Sequence, residues 1–149
     1  MKRNKGFTLV EIVVALAIFS LLICITFISS DTLRNFVQRQ NLKTQSREVL
    51  QALLVGKNNA VIDGYTRKII IYKDKIYIQT IKETIETEKI EFRDSIFITS
   101  NTYNAKRLEL RPIGTVNLGG HFTFENQMGD KMTIVVQIAS GRIYLKEGS

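Results

Sequence analysis

Lys5-Gly6-Phe7-Thr8-Leu9-Val10-Glu11 opens the stretch on which the reading of the whole chain turns. From Phe7 to Ile28 the residues are overwhelmingly apolar, and the one formal charge among them is Glu11. Wound as a helix at about 1.5 Å per residue, that run is roughly 33 Å long, enough to cross a hydrocarbon core. Lys2, Arg3 and Lys5 stand before it and favour an N-terminus held on the inner side of a membrane. An acidic side chain at the centre of a membrane helix costs about 2.5–3.5 kcal/mol on insertion scales, and less near an interface. Such a carboxylate needs a partner, and no basic residue lies within helical reach on the apolar side of Gly6. The partner of Glu11 is therefore expected from another chain, or from a new amino terminus made when the residues before the run are removed.

Gly6-Phe7-Thr8-Leu9-Val10-Glu11 resembles the class III leader of type IV pilins and pseudopilins. The resemblance implies that a prepilin peptidase cuts between Gly6 and Phe7, on the cytoplasmic side of the span, and methylates the new N-terminal Phe7. It also implies that Glu11 pairs with the N-terminal amine of a neighbouring subunit as a filament assembles. Two plainer readings compete. A secretory signal peptide has a basic start and an apolar run of about 7 to 15 residues with a small-residue cleavage site. Here the run is longer, and only Ser29-Ser30 hints at such a site. A simple signal anchor accounts for length and orientation but leaves Gly6-Phe7 and Glu11 without a reason.

Removal of a leader (residues 1–6) and a span (residues 7–29) from the 149 residues leaves about 120, one small domain's worth. The formal charge is +7, with three of the cations in the leader, and an excess of this size says little about partners. Cys24 is the one cysteine and lies within the span, so the fold holds without an intrachain disulfide, and packing between helices is its default role. Repeats and low-complexity tracts are absent, and Pro112 is the one proline.

Beyond the span the helix is expected to continue through residues 30–64. Leu33, Phe36 and Val37, then Leu50, Leu53, Leu54, Val61 and Ile62, repeat the i, i+3, i+4 spacing of one apolar face. Gln38 to Glu48 is mostly polar and is expected to be solvated or to face other subunits. Gly56 is a possible stop, but the apolar face resumes after it, and Gly64 is the better cap at positive φ. Residues 65–149 read as β structure. The expected strands are Thr66–Tyr72, Ile76–Ile81, Thr87–Phe92, Ser95–Thr99, Arg107–Arg111, Gly120–Glu125, Lys131–Ile138 and Arg142–Lys146. Lys73-Asp74-Lys75 reads as a hairpin turn and Ser100 to Lys106 as a loop. A long helix followed by antiparallel strands is an α+β, pilin-like arrangement.

The C-terminal third carries a second resemblance. Gly119-Gly120-His121-Phe122-Thr123-Phe124, Thr133-Ile134-Val135-Val136 and Ser140-Gly141-Arg142-Ile143 are similar to the H-type minor pseudopilins, the GspH/FimT group. The ending is also similar to the minor pilins of competence machines, the ComGD type. The span lacks the proline that many major pilins carry in this helix, which weighs towards a minor subunit. The resemblance implies a membrane-anchored structural subunit with its domain outside the cytoplasmic membrane. Its partners would be other pilin-like subunits and prepilin peptidase, and the machine a competence pilus that takes up transforming DNA. A type II secretion pseudopilus, a surface type IV pilus, or an anchored extracellular binding domain that never polymerises are the alternatives.

Enzyme chemistry finds no motif. His121 is the one histidine and sits in an expected strand, where a packing role is the commoner one. No Cys/His cluster, nucleophile elbow or phosphate-binding glycine loop is present, so no cofactor or metal is expected. Glu125 and Asp130 alone do not make the calcium site that some relatives carry near the C-terminus. DNA is considered because Arg67, Lys68, Lys73, Lys75, Lys106, Arg107, Arg111, Lys131, Arg142 and Lys146 are interspersed with Tyr65, Tyr72, Tyr77 and Tyr103. Asp74, Glu83, Glu86, Glu88 and Glu91 lie among them, and solvated strand faces are the preferred reading.

Overall fold

A computed structural model describes residues 7–26, 30–104 and 106–148. Its elements are α1 (Leu9–Thr26), α2 (Ser30–Asp63), β1 (Arg67–Ile71), β2 (Lys75–Ile81), β3 (Ile85–Glu91), β4 (Ile96–Asn101), β5 (Leu108–Leu110), β6 (Gly120–Asn126), β7 (Lys131–Val136) and β8 (Ile143–Glu147). This is the expected α+β class. The chain divides into two compact units, Met1–Phe36 and Val37–Ser149, so the boundary falls within α2.

In the first unit α1 is apolar on every side, and its large side chains are exposed all round. Among the described residues no helix is long and apolar enough to cross a membrane. The 18 residues of α1 rise about 27 Å, against a hydrocarbon core of about 30 Å. The run expected to span, residues 7–29, extends past α1 at both ends, and its expected junction with the following helix at 27–29 lies outside the described residues.

In the second unit α2 presents a stripe of Leu42, Gln45, Ser46, Val49, Leu53, Gly56 and Ala60, all buried. The i, i+3, i+4 spacing is the expected one, but its membership is not. Leu42, Gln45 and Ser46 fall in the stretch expected to be solvated, whereas Val61 and Ile62 are exposed. Small and polar residues serve the contact face because their polar atoms are satisfied there. Ser46 Oγ donates to the Leu42 carbonyl at 2.8 Å, and Gln45 Oε1 accepts the Arg93 amide at 3.0 Å. Gly56 does not stop the helix. A Cβ there would stand 3.5 Å from Leu110 Cδ1, so the helix lies close on the sheet below. Gly64, at φ 77°, follows the last turn, and its amide reaches the Ala60 carbonyl as a C-cap.

All the expected strands form, each within a few residues of its expected bounds, and all pair antiparallel. They make two four-stranded sheets, β3-β2-β1-β5 and β4-β6-β7-β8. Strand β4 runs on into the stretch expected as a loop, and a bulge between Ile98 and Ser100 shifts its register. Across the first sheet Leu108, Ile69 and Ile78 lie in one row; across the second, Ile98, Phe124 and Met132 do. These rows and the helix stripe form one core, within which Phe124 meets Phe92 and Phe122 edge-on at ring distances of 5.3 and 5.6 Å.

Candidate processing and assembly site

Helix α1 starts in a capping box. Thr8 Oγ1 accepts the Glu11 amide at 3.3 Å, while Glu11 Oε2 accepts the Thr8 amide at 2.8 Å and the Thr8 hydroxyl at 3.0 Å. Thr8-Leu9-Val10-Glu11 is the Ser/Thr-x-x-Glu pattern that satisfies two orphan amides at a helix start. Glu11 thus has hydrogen-bond partners within its own first turn, beside the charged partner expected from another chain or a new amino terminus. Among the described residues no cation pairs with it, and Thr8 gives it hydrogen bonds. The spacing was present in the sequence, and Thr8 is the residue that reasoning from charge alone passes over. Phe7 is 84 % exposed one residue before this box. Gly6 and the basic residues before it lie outside the described residues. The cut between Gly6 and Phe7, the methylation of Phe7 and the assembly role of Glu11 thus remain inferences from the motif.

The domain distributes the residues weighed for nucleic acid rather than gathering them. Arg67 is buried and holds the Asp63 carboxylate through both terminal nitrogens, and Tyr103 is buried in the core. Lys68 and Lys75 belong to the first sheet and Lys131 and Lys146 to the second. Lys68, Lys75 and Lys131 each pair with a carboxylate, on Glu109, Asp74 and Glu125. Lys73 lies over the Phe97 ring and Arg142 over the Tyr144 ring, at 5.5 and 5.4 Å from the centroids.

His121 stands on β6 with Ser100 Oγ 3.4 Å from Nε2 and Thr102 Oγ1 3.3 Å from Nδ1, and the group is exposed. No carboxylate joins it among the described residues, so these hydroxyls orient the ring near the start of β6, an internal strand of the second sheet. Asp130 pairs with Arg39 and accepts from the Asn126 side chain, and Glu125 is taken by Lys131. Among the described residues no group of His, Cys, Asp and Glu could hold a metal ion.

Comparison with known proteins bears on the N-terminal motif and on the α+β fold separately. Residues 1–26 match the prokaryotic N-terminal methylation motif. The fold is that of the minor pseudopilin EpsH from the Type 2 Secretion System of Vibrio cholerae. One EpsH structure superposes with a TM-score of 0.61 at 11% identity, covering 72% of this chain and 97% of that one. A second gives a TM-score of 0.54 at 12% identity, covering 76% and 98%. No curated protein matches the sequence.

Proposed function

We propose that this chain is a minor pilin, or pseudopilin, a structural and assembly subunit of a type IV pilus-like machine. The observation that carries the reading is the union in one chain of the N-terminal methylation motif and the pilin-like domain. In this reading prepilin peptidase cuts after Gly6 and methylates Phe7. Residues 7–29 anchor the subunit in the cytoplasmic membrane with its domain outside, and the same helix packs with those of other subunits in the filament. Glu11 then exchanges its hydrogen bonds with Thr8 for the amine of a neighbour, which adds an opposite charge to the hydrogen bond. The test is the intact mass of the full chain made with and without prepilin peptidase. Loss of Met1 to Gly6 with gain of one methyl group supports the reading, and an uncut chain overturns it.

The machine we propose is a competence pilus, with DNA as a candidate partner. A deletion strain is expected to lose transformation while still secreting its exported proteins. The likeness to EpsH favours a second reading, a secretion pseudopilus, which expects the reverse pattern in the same strain.

A further inference from the structure

The first sheet carries an apolar row that ends in a carboxylate. Leu108, Ile69 and Ile78 face the core in register, and the next position along the row, on β3, is Glu88. One row over, Arg67 and Thr80 lead to Glu86. Gly56 of α2 lies close on Leu110 and Ile78, while Glu86 and Glu88 on β3 are exposed and border an open groove of about 520 Å³. Ala52, Val55 and Gly56 of α2 line its helix side, and Gln51 and Asn59 add amide groups. Glu86 is held by Lys82 at 2.9 Å, whereas Glu88 has no ion pair among the described residues. The one cation in the lining, Arg67, is already held by Asp63.

β3 is also a sheet edge: 7 residues long, exposed along nearly its whole length, with no strand on its outer side among the described residues. Charges that point inward on an edge normally forbid pairing with an apolar strand. The same carboxylates select for a strand of opposite charge, because rejection of one partner and recognition of another are two sides of one discrimination. Spaced two apart on one face, Glu86 and Glu88 match side chains at alternate positions of an extended chain. The aliphatic stems of Lys or Arg would lie along Val55 and Ala52 while their heads reach the carboxylates.

We propose that this groove receives an extended segment of a partner protein, which adds to the free edge of β3 and carries Lys or Arg at alternate positions facing Glu86 and Glu88. The proposal concerns the domain alone and does not depend on the cut at Gly6. Strand addition supplies affinity through main-chain hydrogen bonds, and the alternate side chains supply specificity.

The test uses the full chain in detergent micelles and a synthetic peptide of about nine residues in which Lys and Thr alternate, long enough to span β3. The alternating peptide is expected to bind and to slow hydrogen exchange at the β3 amides. It should lose at least tenfold in affinity against Glu88→Lys, with Glu88→Gln intermediate. An isomer with its lysines in one block, and a copy N-methylated at alternate amides, should each bind at least tenfold more weakly. Equal binding of the N-methylated copy would reduce the effect to charge attraction and overturn strand addition. Absence of binding would overturn it as well. Protection of β3 that grows with the concentration of the chain alone would assign the edge to a second copy instead.

Discussion

In α1, Leu9, Leu16, Phe19 and Leu21 each leave more than half of their surface open, whereas in the domain Leu53, Phe122, Phe124 and Ile134 leave none. The same residue types thus meet opposite environments in one chain. In the domain they are covered by three elements of the same molecule, so the stabilisation of about 25 cal/mol per Å² of buried apolar surface is internal. In α1 that stabilisation is not realised by the chain itself, and contiguous exposed apolar surface on this scale marks contact with lipid or protein. The domain is built to fold; α1 is built to be covered.

The largest test of that contrast pairs two truncations measured by thermal melting of the domain in the full chain. Phe124→Ala removes a ring packed on Phe92 and Phe122 and is expected to cost about 3–5 kcal/mol. Leu16→Ala should leave the domain's melt within about 0.5 kcal/mol, because its side chain is exposed. A comparable loss from both would break the division of the molecule.

Next comes the pair of Arg67 with Asp63. The guanidinium of Arg67 is buried and the exposed Asp63 carboxylate at the end of α2 is its counter-charge, so removing Asp63 leaves a buried cation without its partner. Arg67→Ala is expected to lower the melting temperature of the domain, through the lost packing of the buried guanidinium, and to leave α1 unchanged. The hydrogen bond from Arg67 holds the Asp63 carboxyl at about 2, below the ordinary carboxylate value of about 3.9. A depressed carboxyl contributes stability that is complete above about pH 4 and is lost as pH falls towards about 2. Melting temperature should therefore decline through that window, and Asp63→Asn should flatten the decline. An unchanged acid limb in that variant would remove the pair from the account.

Much of this fold was legible because period-two alternation and turn glycines mark strands locally. The partition into two sheets was not, because it depends on distant pairings: β5 joins β1 and β4 joins β6. The contact face of α2 was misread for a related reason. Hydropathy picks out Val61 and Ile62, but close approach of helix to sheet favours Ser46, Gly56 and Ala60, whose value lies in their small size. At the N-terminus the motif is plain from residue identity, whereas the Thr8–Glu11 box shows in the Thr-x-x-Glu spacing and not in the pattern of charge.

Two glycines separate backbone conformation from crowding. Gly141 lies at φ 58°, and a Cβ there would meet the Gly114 carbonyl at 2.4 Å, while Lys57 Nζ donates to the Gly141 carbonyl at 2.6 Å. Gly64 has a similar φ of 77° and nothing within 4 Å of its would-be Cβ. Gly64→Ala is expected to cost about 1 kcal/mol from the left-handed backbone alone. Gly141→Ala should cost at least about 2 kcal/mol, since the turn must also shift away from its neighbours. Equal costs would mean that the loops around Gly114 yield freely.

The smallest expected effect falls on α1. Thr8→Ala removes the hydroxyl that caps the Glu11 amide and one donor to the Glu11 carboxylate, a loss of about 1 kcal/mol confined to the first turn. Domain melting should not move, but hydrogen exchange at the first amides of α1 in micelles should quicken about fivefold, the equivalent of that energy. Thr8→Ser, which keeps the hydroxyl, should restore the slower rate. If Thr8→Ala leaves those amides as protected as before, the box does not hold the helix start, and Glu11 must find its stabilisation in what surrounds α1. The comparison would then sharpen further, because even the one charged group of α1 would depend on contacts from outside the chain.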